Sequence, residues 1–310
     1  MLELNKIYNI DCLKGLKQLP DNSINCCVTS PPYWGLRDYG VEGQLGLEST
    51  PEEYVAKMVE VFREVKRVLR DDGTLWLNLG DSYAGNCSQA SNNGRAGFGN
   101  ARERLVNRKG EGLKPKDLVG IPWMVAFALR ADGWYLRSDI IWYKPNTMPE
   151  SVRDRPTKAH EYIFLLTKSK RYYYDNEAIK EDAKPESEKR YRSTFHTGKK
   201  EISGQGRPGN TSNTPGYKKW TGKRNKRSVW TVIVKPFKEA HFATYPPDLI
   251  EPCILAGCPE GGVVLDPFMG SGTTALVAMQ NQRNFIGFEL NPEYIKLAKK
   301  RISNVQLKIV

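Results

Sequence analysis

Apolar positions along this chain recur with two periods, and the switches between them outline alternating strands and helices. Ile24 to Val28 is a short apolar run that reads as a buried strand. From Pro51 to Arg70, the residues Val55, Met58, Val59, Phe62, Val65 and Leu69 fall at three- and four-residue steps, which predicts a helix with one buried face. Thr50 before Pro51, with Glu52 and Glu53 following, supplies an N-cap, a proline at the first helical position and acids in the first turn. Asp72-Gly73 is expected to end that unit, with Thr74 to Leu79 as the next strand. Pro122 to Arg130 predicts a helix, and Tyr135 to Tyr143 and His160 to Thr167 predict strands. Nearer the C-terminus, helices are predicted at Pro246 to Ala256, Thr273 to Asn281 and Pro292 to Ile302. They alternate with strands at Val263 to Leu265 and Phe285 to Glu289. This order predicts an α/β fold: a mostly parallel twisted sheet with helices on both faces.

Two stretches break the alternation. Residues 80–116 are polar and glycine-rich and carry Arg95, Arg102, Arg104 and Arg108, as a functional loop or an unstructured one would. Residues 171–235 change composition altogether. Between Lys189 and Trp230 stand about a dozen Lys or Arg residues against one acid, Glu201, with Tyr191, Phe195, Tyr217, Trp220 and Trp230 interleaved. A solvated linker has that composition. So does a nucleic-acid surface, which uses cations for phosphates and rings for stacking. The expected organisation is residues 1–170 and 236–310 as two halves of one domain, with 171–235 inserted between them.

Charge sharpens this picture. The 310 residues carry a net charge of +12, which favours a polyanionic partner. Hydrophobic residues make up 39% and mean hydropathy is −0.56, as in a soluble protein. No apolar run approaches the roughly 20 residues of a membrane span, and residues 1–9 lack a signal-peptide pattern. A cytoplasmic protein is expected. The six cysteines form no C-x-x-C pair and only three histidines could join them, so a zinc site is not expected and the thiols read as small core residues.

The candidate chemistry sits at strand ends. Thr29-Ser30-Pro31-Pro32-Tyr33-Trp34 follows the first apolar run. Two prolines cannot continue a ladder and stiffen the backbone. A hydroxyl and a Pro31 carbonyl without its own N–H then stand beside the flat rings of Tyr33 and Trp34. Those are acceptors and a stacking surface for a planar base with an exocyclic amine. Far downstream, Val263 to Leu265 runs into Asp266-Pro267-Phe268-Met269-Gly270-Ser271-Gly272-Thr273-Thr274 and then a helix. Gly270 and Gly272 allow a tight turn and close approach to a ligand. The spacing is neither the dinucleotide fingerprint nor a Walker loop. Glu289 ends the next strand, where a carboxylate can accept from two ribose hydroxyls.

With both signatures in view, the chain resembles the β class of S-adenosylmethionine-dependent DNA amino-methyltransferases, in which an S/D-P-P-Y motif precedes D-P-F-x-G-S-G-T-T. The resemblance covers nearly the whole chain. It implies a Rossmann-like methyltransferase fold in permuted motif order, S-adenosylmethionine as cofactor and double-stranded DNA as partner. It assigns Ser30, Pro31, Pro32 and Tyr33 to catalysis, and Asp266, Pro267, Phe268, Gly270, Ser271, Gly272, Thr273 and Glu289 to the cofactor. Asp11, in Tyr8-Asn9-Ile10-Asp11-Cys12, resembles a family residue bordering the cofactor pocket. Phe242 and Thr244, in His241-Phe242-Ala243-Thr244-Tyr245-Pro246, resemble the motif that closes over its methionine end. Trp142, Lys144 and Asn146, in Ile141-Trp142-Tyr143-Lys144-Pro145-Asn146, resemble a motif lining the target-base pocket, with Trp34 beside the catalytic corner. The basic insertion then becomes the target-recognition region, with Lys218, Lys219, Arg224 and Arg227 toward phosphate. Ser at the head of the catalytic motif typically accompanies N4-cytosine methylation, and Asp or Asn N6-adenine; a hydroxyl can serve either amine. An RNA base would suit the same pocket and charge. A cognate restriction endonuclease is compatible with the resemblance but not required for activity. The residues leave the recognition sequence and oligomeric state open.

Overall fold

The computed structural model describes residues 2–36, 38, 40–84, 112–189, 221–234, 245–303 and 305. Its centre is an eight-stranded sheet. The strands are β1 (Lys6–Asn9), β2 (Ile24–Thr29), β3 (Leu69–Leu79), β4 (Tyr135–Tyr143), β5 (His160–Thr167), β8 (Val229–Thr231), β9 (Val263–Asp266) and β10 (Asn284–Glu289). They lie side by side in the order β1-β10-β9-β2-β3-β5-β4-β8. Of these eight, only β5 runs against its neighbours, so the sheet is mostly parallel. The strands β1, β6 (Glu181–Asp182), β7 (Lys223–Arg224) and β8 are too short to leave a period in the sequence, and it did not predict them.

Helices cover the sheet: α1 (Cys12–Leu16), α2 (Pro51–Val68), α3 (Ile121–Ala131), α4 (Pro247–Gly257), α5 (Thr273–Gln280) and α6 (Pro292–Ile302). The start of α2 is a capping box. Thr50 Oγ1 accepts from the Glu53 N–H at 3.2 Å, and the Glu53 carboxylate accepts from the Thr50 N–H at 3.4 Å. The buried face of α2 is Tyr54, Met58, Val61, Phe62, Val65 and Val68, with Val55 and Val59 half-buried at its margin. Leu69 and Arg70 open β3 rather than closing the helix. Asp72-Gly73 does not end the unit as expected. The β2–β3 register steps from Ile24↔Leu69 to Cys26↔Thr74, so the residues between bulge within β3.

Two compact units emerge. The larger joins residues 1–175 and 228–310, and the smaller is Asn176–Arg227, where β6 and β7 pair antiparallel. Residues 85–111 of the polar loop and 190–220 of the basic stretch lie outside the described residues. The flanks of the polar loop are tied together, Ala84 N–H to the Asp117 carbonyl and Lys116 N–H to the Ala84 carbonyl, both at 2.8 Å. Among the described residues no helix is long and apolar enough to cross a membrane.

Candidate active site

The chain leaves β9 toward β10 on one side of the sheet, and β2 toward β3 on the other. β9 and β2 are neighbours, so their carboxyl ends flank the point where the strand order diverges, which is where open α/β sheets bind ligands. The corner Ser30 to Tyr33 follows β2 and the glycine loop follows β9. Both line one cleft, although more than 230 residues separate them in sequence.

On the glycine-loop side, Pro267, Phe268, Gly270, Ser271 and Thr273 face Ile10, Asp11 and Glu289. Asp11 caps α1, accepting from the Lys14 N–H at 3.0 Å. The Glu289 carboxylate accepts one backbone N–H on each oxygen, from Gly270 and Asn291, both at 2.8 Å. Burial raises its pKa, and those two bonds oppose the rise. Each oxygen keeps a lone pair for a hydroxyl in the cleft. Arg301 of α6 clamps the loop, donating to the Ser271 carbonyl at 2.7 Å and to Thr273 Oγ1 at 3.1 Å.

Asp266 and Gly272 lie beneath this wall rather than in it. Asp266 is fully buried and accepts from Thr29 Oγ1 at 2.6 Å, Thr274 Oγ1 at 2.6 Å, Tyr245 Oη at 3.0 Å and the Phe268 N–H at 3.0 Å. It knots β9, β2, α5 and Tyr245 together. Gly272 is the left-handed N-cap of α5 at φ 78°, where a Cβ would stand 2.7 Å from that of Ala298.

On the other side stand Ser30, Pro31, Pro32, Tyr33, Trp142 and Lys144, joined by two residues that sequence reasoning missed, Asn78 at the end of β3 and Glu161 at the start of β5. Tyr33 Oη lies 2.8 Å from Glu161 Oε2, 3.1 Å from Asn78 Oδ1 and 3.3 Å from Ser30 Oγ. Burial, and then the Glu161 charge, push the Tyr33 phenol well above its usual range, so it stays protonated. Lys144 pairs with Glu161 Oε1, and its ammonium sits 4.1 Å from the centre of the Trp142 ring. The Pro32 carbonyl takes the Tyr54 hydroxyl at 2.9 Å. The sequence signal for Glu161 was an acid heading an otherwise apolar strand, where solvent-facing placement was the simpler reading.

Other assigned residues lie elsewhere. Trp34 is buried and donates to the Glu48 carbonyl at 3.0 Å, away from the cleft wall. Asn146 latches the backbone of Val234, donating at 2.8 Å and accepting at 3.0 Å. Arg224 and Arg227 belong to the smaller unit, where both pair with Glu181, at 3.0 and 2.9 Å. Phe242, Thr244, Lys218 and Lys219 lie outside the described residues. Burial pushes the thiols of Cys12 and Cys258 up to about 12 and raises those of Cys26 and Cys27 well above the usual thiol range, so none of the four is poised as a nucleophile.

An open, mostly parallel sheet with a glycine loop and a proline corner meeting at its switch point is the architecture of a Rossmann-like methyltransferase. Residues 24–300 match the DNA methylase family N6_N4_Mtase. The chain is 48% identical to the Type II methyltransferase M.Cfr9I of Citrobacter freundii, over 100% of its own length and 92% of that protein. It is 46% identical to M.SmaI of Serratia marcescens, over 96% of its own length and 90% of that protein. Among solved structures, the PvuII DNA methyltransferase (cytosine-N4-specific) superposes with a TM-score of 0.63 at 19% identity, covering 97% of this chain and 88% of the other. The Thermus thermophilus protein TTHA0409, solved in complex with S-adenosyl-L-methionine, superposes with a TM-score of 0.59 at 23% identity, covering 96% and 93%. The chain therefore belongs to the N6/N4 DNA methylase family.

Proposed function

We propose that this protein transfers a methyl group from S-adenosylmethionine to the exocyclic N4 of cytosine in double-stranded DNA, on a base rotated out of the helix. The observation that carries the reading is Ser30, a hydroxyl beside the Tyr33 ring, in one cleft with the glycine loop. The donor half fits a nucleoside: Glu289 keeps acceptor capacity for ribose hydroxyls, and Ile10, Phe268 and Met269 give apolar walls for a planar ring. Bound there, S-adenosylmethionine supplies an electrophilic methyl on a sulfonium leaving group.

A base stacked in a duplex cannot reach this cleft, so extrusion is required. Tyr33 offers a face on which the base stacks, offsetting part of the lost stacking. Ser30 Oγ and the Pro31 carbonyl accept the two amine protons and turn the nitrogen lone pair toward the donor half. No cysteine takes part, and positioning and electrostatics supply the acceleration. Residues 171–235 serve target recognition in this reading, with Lys218, Lys219, Arg224 and Arg227 meeting phosphate.

The test is methylation of genomic DNA with isotopically labelled S-adenosylmethionine, followed by nucleoside analysis and single-molecule sequencing. Labelled N4-methylcytosine in one sequence context is expected. Labelled N6-methyladenine without N4-methylcytosine overturns the base assignment, and methylation of RNA alone overturns the polymer.

A further inference from the structure

A serine hydroxyl is ambiguous as an amine-orienting group. Its oxygen can accept from the amine, or its proton can be donated to the amine nitrogen. The second arrangement ties up the lone pair that must attack and so opposes methyl transfer. The cleft contains a device that removes the ambiguity. Glu161 pairs with the Lys144 ammonium through Oε1 and presents Oε2 to Tyr33 as an acceptor. Asn78 donates its amide N–H to the Tyr162 carbonyl at 3.0 Å and to Glu161 at 3.3 Å, which turns Oδ1 toward Tyr33. The Tyr33 hydroxyl therefore faces two acceptors, Glu161 at 2.8 Å and Asn78 at 3.1 Å. Its single proton goes to one of them, and the bond to the carboxylate is the shorter and charge-assisted one. The phenol oxygen is then left to accept, and Ser30 Oγ, 3.3 Å away, is the donor that meets it.

We propose that Glu161 is a positioning residue that acts through Tyr33: the chain Ser30 → Tyr33 → Glu161 turns the Ser30 proton away from the target base and fixes the serine oxygen as an acceptor. The proposal rests on the reading of Ser30 as the amine-binding group. It gives Tyr33 a second task beyond stacking, carried by its hydroxyl alone. It also explains the depth at which a Lys–Glu pair is held, both side chains being only 17% exposed. Lys144 compensates the half-buried carboxylate whose function is to polarise the chain.

The experiment is a set of mutant cycles on the full-length protein: Tyr33→Phe, Glu161→Gln and Ser30→Ala, with the Tyr33→Phe/Glu161→Gln and Tyr33→Phe/Ser30→Ala doubles. Single-turnover methylation, KM for DNA, Kd for S-adenosylmethionine and Tm are measured for each. Tyr33→Phe keeps the stacking ring, so KM and cofactor Kd are expected within about twofold of wild type, with the chemical rate down about tenfold, the size of one hydrogen bond. Glu161→Gln is expected to slow the same step. Because both act through one hydroxyl, the first double is expected to be no slower than the slower single. In the Ser30→Ala background, Tyr33→Phe is expected to cost nothing further. Losses that multiply in either cycle, or Tyr33→Phe at the wild-type rate, overturn the proposal. If Glu161→Gln does not fold, the Tyr33/Ser30 cycle decides alone, because it leaves the Lys144–Glu161 pair intact. Failure of the functional reading itself shows separately, as wild-type protein that forms no methylated amino group.

Discussion

Gly80 makes room for the Tyr33 ring. A Cβ at this position would stand 2.5 Å from Tyr33 Cε2, while the Gly80 backbone does not need the left-handed region. Gly80→Ala therefore isolates one effect, displacement of the ring. Its expected outcome is a fall in kcat of about 10- to 100-fold with cofactor Kd unchanged, read by single-turnover assay and calorimetry. Asp266 is the second informative residue. Burial raises its pKa in the folded protein above an unfolded value of about 3.9. The folded state thus holds this proton to higher pH than the unfolded chain does. The group's contribution to stability is full below about pH 3.9 and is lost as pH rises through the folded value. Asp266→Asn removes this titration and takes the acceptor from two of the four donors, because each carboxylate oxygen receives two of them. The variant is expected to be less stable by about 1–3 kcal/mol, with the gap to wild type narrowing as pH rises through that window, measured by urea unfolding. Glu289 titrates in the same direction but is common to both proteins, so it cancels in the difference.

Helix-to-sheet packing is tight where α4 meets β2 and β3. A Cβ on Gly257 would lie 2.5 Å from both Thr74 Oγ1 and Trp76 Nε1, and 2.9 Å from Cys26 Sγ. These three side chains are themselves fully or almost fully buried, so none can swing into solvent. Gly257→Ala is expected to destabilise by about 1–3 kcal/mol through overpacking, seen as a lower Tm, while cofactor affinity in the folded fraction is kept. Elements of this length were legible in advance. The strands Tyr135–Tyr143 and His160–Thr167 and the helix Pro292–Ile302 have the bounds that periodicity and turn residues assigned. The bulge at Arg70 to Gly73 was not legible, because Asp-Gly marks a break in a ladder without saying whether the strand resumes beyond it.

At the scale of the whole molecule, a net charge of +12 is distributed unevenly, and part of the basic stretch is already compensated. Glu181 holds Arg224 and Arg227, and Asp182 holds Lys223 at 2.6 Å. For the proposed DNA contact, each phosphate met by a cation contributes about 0.9 to the slope of log affinity against log salt. Neutralising Lys218, Lys219, Arg224 and Arg227 together is expected to weaken binding and lower that slope by about this amount for each that meets phosphate, measured by salt titration. An unchanged slope removes the cluster from the interface.

The sequence by itself determined the alternation of elements, the two motifs at strand ends and the family they resemble. Each is a property of a short window, where side-chain period and turn chemistry act between near neighbours. Only the tertiary structure decided which far-apart residues meet. Asn78 and Glu161 converge on Tyr33 because the antiparallel ladder pairs Asn78 with Ile163 and Leu79 with Tyr162, and sets Glu161 opposite Trp142. A shift of one residue in that register would turn every side chain of β5 to the other face. The ladder's register, and with it the hydrogen-bond chain behind Ser30, follows from burying the whole sheet at once rather than from any local signal.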